Sequence, residues 1–376
     1  MSTLKLLYHC AYNEGGLARY ALEQRRALAK EVGIECSAHK SVAKKPRLHF
    51  PGKLGRVGLF LQTTIRDKRS LAHETRKRIP DWLLLSSWGE YLAPLWAHHF
   101  RRLRDSGTRI AAIVHDPVRD YVRGPNWFHQ ASIRAAYSFV DAVFVHDASE
   151  ISWGGLIKKP LVVEIPCGPF PVPTGTTPRA RLRADFNIPD GAFALLSFGH
   201  IRDAKNLDLI LHALGKHSMV HLIVAGREQS GGQKPVEEYQ QLATKLGVAD
   251  RCHWFNEYIP EEDVWKYFTA SDSVALTYSS DFRSASGVLN VNVQFRKPIL
   301  ASCGPSPLKT AVEKYNLGPW VEPDSSEEIE RGLERILSTP NCPDARWEEY
   351  LNDNSWEENA RRVVEAMRSF GESVKR

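Results

Sequence analysis

Four stretches of this chain place charged or hydrogen-bonding groups where a polypeptide can do chemistry. In the first, Asn13-Glu14-Gly15-Gly16-Leu17-Ala18-Arg19-Tyr20, two glycines let the backbone approach a ligand closely. They open a helix-spaced apolar set whose leading N–H groups would stabilise negative charge. The second is His115-Asp116, directly after the apolar run Ile110–Val114. An imidazole at the carboxyl end of a parallel strand stands where ligands of open α/β sheets bind. The third is FGHIRDAKN, Phe198 to Asn206: Gly199 permits a tight turn, Arg202 offers a planar fork to phosphate, and Lys205 adds a compact positive charge, a combination that could hold a diphosphate. The fourth runs from Ser279 to Ser302, where Ser286-Gly287-Val288-Leu289 opens an apolar helix and offers backbone N–H groups at its start. Each stretch also has a plainer reading: a tight strand-to-helix turn, a structural histidine, or a solvated loop in which Asp203 neutralises its neighbours.

Other chemistries are disfavoured. The sequence has no Walker A, GxGxxG, HExxH or Asp-x-Asp motif, which argues against P-loop kinases, simple Rossmann dehydrogenases, zinc proteases and metal-dependent sugar transferases. The cysteines Cys10, Cys36, Cys167, Cys252, Cys303 and Cys342 include no CxxC pair, so neither a zinc ribbon nor a dithiol redox site is readable. No metal and no cofactor are expected.

These residues need a frame to hold them. Apolar runs of four to six residues begin at Leu4, Trp82, Ile110, Asp141, Leu161, Phe193, His221, Val274 and Pro298, mostly separated by enough chain for a helix. Continuous rather than alternating apolarity implies strands covered on both faces, so the fold class is α/β with doubly wound parallel sheets. At 376 residues the chain has room for two or three domains. The proline-rich stretch from Cys167 to Arg179 reads as an extended linker. Two domains follow, residues 1–170 and 171–354, with an amphipathic helix at 355–370.

The net charge of +6 is unevenly spread. Residues 1–175 hold 26 Lys+Arg against 15 Asp+Glu, and residues 176–376 hold 24 against 29. The basic excess is concentrated between Lys40 and Arg104, and within it Arg56–Arg69 sets Val57, Phe60, Leu61 and Ile65 at helical spacing beside Arg56, Arg66, Lys68 and Arg69. That pattern suits a helix lying on an anionic membrane surface; solvated basic surface is the alternative. No nucleic-acid reader motif accompanies the patch, so a nucleic-acid partner is not expected. With no long apolar span and no signal-like start, the expected address is cytoplasmic, peripheral at the inner face of the membrane.

In order and spacing the four stretches, with IPCG at Ile165–Gly168 and LIVAG at Leu222–Gly226, resemble the retaining glycosyltransferases of family 4. The resemblance covers most of the chain. It implies a GT-B architecture of two facing Rossmann-like domains with an interdomain cleft, the final helix crossing back to the first domain. It implies a nucleoside diphosphate-sugar donor and a polysaccharide, glycolipid or lipid-linked acceptor. It places Gly15, Gly16, Gly199, Ser286, Gly287, Val288 and Leu289 at the donor, His115 by the transferred sugar, and Arg202 and Lys205 at the leaving diphosphate. The chain departs from the family where many members carry two glutamates eight positions apart: Arg283 and Val291 stand there instead. A catalytically inactive binding protein of the same fold and a nucleotide-sugar epimerase are the rival expectations.

Overall fold

A computed structural model describes residues 3–39, 52–89, 92–115, 125–147, 151, 153–229 and 232–373, without the side chains of 52–63 and 371–373. The chain divides into two compact units, Met1–Pro166 with Ser355–Arg376, and Cys167–Asn354. The boundary lies a few residues ahead of residue 170.

In the first unit, strands β1 (Leu4–Cys10), β2 (Ile34–His39), β3 (Trp82–Ser87), β4 (Arg109–Val114), β5 (Ala142–Val145) and β6 (Leu161–Glu164) form a sheet in the order β2-β1-β3-β4-β5-β6. All pairings are parallel. Helices α1 (Gly16–Leu28), α2 (Gly52–Arg78), α3 (Ala93–Asp105) and α4 (Asn126–Tyr137) connect them. The Leu83-Leu84-Leu85 run is almost wholly shielded, as a strand covered on both faces requires. An aromatic cluster anchors the core: Phe100 stacks on Phe139 at 5.0 Å and Trp96 meets the same ring edge-on at 5.8 Å.

Lys68, expected on a lipid-facing surface, is instead buried, its ammonium 5.4 Å from the centre of the Trp96 ring. Burial pushes its pKa down to about 8. The periodicity put the helix in the right place, but α2 turns this lysine inward; Arg66 and Arg69 remain exposed. The stretch 40–51 of the basic segment, and the side chains of Arg56, Val57, Phe60 and Leu61, lie outside the described residues.

The second unit carries β7 (Phe193–Phe198), β8 (Val220–Ala225), β9 (Cys252–Phe255), β10 (Ser273–Thr277) and β11 (Ile299–Ser302) in the order β11-β10-β7-β8-β9, again all parallel. Its helices are α5 (Arg179–Asp185), α6 (Leu207–Leu214), α7 (Val236–Lys245), α8 (Val264–Ala270), α9 (Gly287–Asn292), α10 (Pro307–Lys314), α11 (Ser326–Ser338) and α12 (Trp347–Asp353). The proline-rich stretch is fastened to this unit. Val172 exchanges two hydrogen bonds with the Gln294 amide at 2.9 and 3.0 Å, and the Phe170 N–H donates to the Asn290 carbonyl at 2.9 Å. Just beyond, Arg179 and Arg183 both grip Asp272, at 2.6 and 3.1 Å.

Helix α13 (Trp356–Ser373) belongs to the first unit. It buries Ala360, Val363, Val364 and Met367, one apolar face at helical spacing, and packs against α1.

Candidate functional site

In the second unit the site is built at the carboxyl ends of β7 and β8. After β7 the chain turns through Gly199, at φ +88°. After β8 it turns through Gly226, where a Cβ would lie 2.2 Å from the Gly199 carbonyl oxygen. The two turns approach this closely only because no side chain intervenes.

One short 3₁₀ turn, Asp203–Lys205, follows, and Asn206 in the left-handed region starts α6. The Lys205 ammonium bends back to donate to the Phe198 carbonyl. It stands 3.5 Å from where a Gly199 Cβ would be, with a Val288 methyl at 3.7 Å. Burial and then the charge of Arg202 push its pKa down to about 7. Arg202 lies over the Tyr278 ring at 5.9 Å. The Tyr278 hydroxyl in turn lies 3.1 Å from Ser286 Oγ, so Gly199, Arg202, Lys205, Ser286 and Val288 belong to one constellation.

Asp203 does not neutralise its neighbours. Its carboxylate accepts from the Lys234 N–H at 3.0 Å and the Tyr239 hydroxyl at 2.9 Å. Among the described residues no carboxylate pairs with Arg202 or Lys205. Asp324 ties the loop after β7 to the loop after β10, accepting from Asn206 Nδ2 and the Ser280 N–H, both at 3.0 Å.

The turn into α9 is tighter than its sequence suggests. Ser286 caps the helix by accepting from the Leu289 N–H at 3.3 Å, and the Leu289 side chain is buried. Gly287 stays exposed and Val288 half-buried. Arg283 folds back, donating to the Ser280 and Phe282 carbonyls, and Val291 is buried. Neither position presents a carboxylate.

In the first unit the corresponding edge presents aromatic and imidazole rings. Gly15, at φ +83°, precedes Gly16, the first residue of α1, and a Cβ at either would meet nothing within 4 Å. One turn on, Tyr20 presents its ring to His115, edge-on at 4.6 Å, and to His146 at 5.4 Å. His146 was not anticipated, although Val145-His146-Asp147 repeats the Val114-His115-Asp116 that ends β4. The parallel register Val114↔Val145 sets the two imidazoles side by side, ring centres 5.7 Å apart. His115 Nε2 is 3.0 Å from the Ser86 carbonyl, so that nitrogen carries the proton and Nδ1 holds a lone pair. Burial, helped by His146, drives the His115 pKa down to about 3; the ring is neutral at physiological pH. Asp116 lies outside the described residues.

One edge thus gathers two cations and the other two imidazoles and a tyrosine ring. Two all-parallel sheets of this kind, each wrapped by helices, define the GT-B class. The chain superposes on sucrose-phosphate synthase from Thermosynechococcus elongatus with a TM-score of 0.68 at 18% identity, covering 99% of this chain and 100% of that one. It superposes on Anabaena Alr3699/HepE in complex with UDP-glucose with a TM-score of 0.69 at 16% identity, covering 97% and 100%. At such identities the likeness is one of fold.

Residues 178–363 match the family described as Glycosyl transferases group 1. The D-inositol 3-phosphate glycosyltransferase of Mycolicibacterium smegmatis is 28% identical over 158 residues, 39% of this chain and 35% of that enzyme. The shared stretch is about a third of the curated relative's length.

Proposed function

We propose that this protein transfers a sugar from a nucleoside diphosphate sugar to a glycan or lipid-linked acceptor, in surface-polysaccharide or glycolipid assembly. The observation that carries the reading is Lys205: a half-buried cation held on the Phe198 carbonyl beside a second cation, Arg202, with no carboxylate partner among the described residues. Holding two cations together in a partly buried loop without a counter-ion is costly, and an anionic ligand offsets that cost. The Anabaena structure solved with UDP-glucose and the relative named a glycosyltransferase support the same substrate class.

As the glycosidic phosphate bond breaks, positive charge develops on the sugar and negative charge on the departing diphosphate. Arg202 and Lys205 stabilise the latter, and do so more strongly in the transition state than in the bound donor, which is what accelerates a reaction. They supply positive charge that a metal ion supplies to other sugar transferases. His115, neutral and fixed by Ser86, cannot act as a general acid near pH 7. Its Nδ1 lone pair can accept a hydrogen bond from a sugar hydroxyl, which suits positioning of the transferred ring. Retention of anomeric configuration follows the family resemblance.

The exposed arginines Arg66 and Arg69 of α2 would serve a cytoplasmic-face membrane contact. Among the described residues no helix is long and apolar enough to cross a membrane. Arg283 and Val291, in place of the usual glutamates, favour a second reading, an inactive binding protein of this fold.

A thermal-shift screen against nucleoside diphosphates, followed by donor-consumption assays, tests the proposal. A ligand at about 100 times its Kd stabilises by about 2.7 kcal/mol. Stabilisation by at least one nucleoside diphosphate, abolished by Lys205→Ala, together with acceptor-dependent donor consumption, is expected. Binding without consumption points to the inactive protein, consumption without acceptor to an epimerase, and no binding by any nucleoside diphosphate overturns both site and substrate class.

A further inference from the structure

Gln24 on α1 and Asn359 on α13 are both fully buried, an expensive location for amides unless every donor and acceptor is used. They are used. The Tyr8 hydroxyl donates to Gln24 Oε1 at 2.8 Å, and Gln24 Nε2 donates to Asn359 Oδ1 at 2.8 Å and to the Tyr20 hydroxyl at 3.4 Å. Asn359 Nδ2 donates to the Tyr20 hydroxyl at 3.1 Å and to the Pro166 carbonyl at 2.6 Å. With both amides fully engaged, the network favours one arrangement. A leucine pair would fill the same space without dictating direction.

The point on which this network converges is the Tyr20 oxygen, and it sets where the ring lies. That ring is wedged edge-on between Trp356 at 4.9 Å, His146 at 5.4 Å and His115 at 4.6 Å. Each imidazole has one further restraint: His115 Nε2 on the Ser86 carbonyl and His146 Nδ1 on the Ile165 carbonyl, both at 3.0 Å. Among the described residues, those seen against His115 are the Tyr20 ring, the His146 imidazole and the Ser86 carbonyl.

Trp356 and Asn359 lie where the chain returns to the first unit, and Ile165 and Pro166 where it leaves. Both crossings are bonded into the histidine cluster. We propose that Tyr20 is a positioning residue that, held by Asn359 and Gln24, fixes the orientation of His115 toward the transferred sugar and so keeps its Nε2 on the Ser86 carbonyl, so that the C-terminal helix is a working part of the site. The assignment of the sugar to His115 rests on the functional reading above; the fixing of His115 by Tyr20 does not.

The test combines kinetics with imidazole ¹⁵N NMR on the full chain, the His115→Gln spectrum identifying the His115 signals. In the wild type, His115 should stay neutral, protonated at Nε2, from pH 5 to 8. Tyr20→Leu should shift the His115 ¹⁵N signals and raise its titration toward that range, and should lower kcat tenfold or more. Affinity for the nucleoside diphosphate found by thermal shift should stay within twofold. Asn359→Leu and Tyr20→Phe, which leaves the ring but removes its tether, should lower kcat threefold or more, with a smaller shift in the His115 signals. If Tyr20→Leu fails to fold, these two milder variants decide the matter. His115 signals and titration unchanged in every folded variant would overturn the positioning role. Because the NMR arm needs no donor, a wild type that transfers nothing would overturn the functional reading while the spectra still decide the role of Tyr20.

Discussion

At the carboxyl ends of their sheets the two units carry opposite chemistry, and each runs against the charge of the sequence around it. Residues 176–376 hold more acids than bases, yet the loop after β7 gathers Arg202 and Lys205 with Asp203 turned away toward Lys234 and Tyr239. Residues 1–175 are strongly basic, yet the edge formed by β4 and β5 presents two imidazoles and the Tyr20 ring. Net charge acts over distances near the Debye length, about 8 to 10 Å in ordinary salt, and governs encounter. What a site binds is set by the few groups that lose water to face it. On the proposed function, the cationic edge in the acidic unit would take the diphosphate and the imidazole edge in the basic unit the sugar hydroxyls.

The sharpest break in this comparison is Lys205→Ala. If its ammonium meets charge that grows on the leaving diphosphate, turnover should fall about a hundredfold or more, corresponding to about 2.7 kcal/mol, with weaker nucleoside diphosphate binding. Steady-state kinetics and calorimetry read both. Wild-type values in Lys205→Ala and Arg202→Ala alike would remove the diphosphate role. His115→Ala should remove most transfer activity, lowering turnover at least tenfold, while calorimetry shows nucleoside diphosphate affinity within twofold of wild type. Equal turnover would return His115 to a structural role.

The pH dependence should separate the two edges further. With a pKa near 7 in the free protein, Lys205 is charged at pH 6 and largely neutral at pH 8.5. Nucleoside diphosphate affinity should therefore fall severalfold across that interval, and Lys205→Arg should flatten the profile, as a titration at four pH values would show. For stability the sign is opposite. Between pH 7 and the ordinary lysine value the unfolded chain binds the proton and the native one does not, so this group's contribution to stability rises with pH. The smallest effect belongs to Asp203→Asn. Its carboxylate faces Lys234 and Tyr239, so affinity should change less than twofold, with about 1 kcal/mol of stability lost in chemical denaturation.

Nine of the strands among the described residues were legible as apolar runs. The two that were not, β2 (Ile34–His39) and β9 (Cys252–Phe255), carry Glu35, Ser37 and His253 at partly exposed positions, which break the run. The constellation around Lys205 could be read because Gly199, Arg202 and Lys205 are close in sequence. His146 was readable in principle from its repeated Val-His-Asp, but its place beside His115 depends on β5 lying next to β4. Tyr20 gave no such signal: its hydroxyl is held by Asn359, 339 positions away. The direction of Asp203 likewise depends on partners some thirty residues on. Lys68 was misjudged because one helix can bear apolar and basic residues at the same spacing whether it faces lipid or a tryptophan.

The division of labour between the edges is tested most directly by calorimetric titration of wild type, Lys205→Ala and His115→Ala with the nucleoside diphosphate selected by thermal shift and with its sugar conjugate. Lys205→Ala is expected to bind the nucleoside diphosphate at least tenfold more weakly than wild type. His115→Ala should bind it normally and lose the added affinity that the sugar brings. Equal nucleoside diphosphate affinities in wild type and Lys205→Ala, or a loss in His115→Ala as large as that in Lys205→Ala, would contradict the assignment of anion to one edge and sugar to the other.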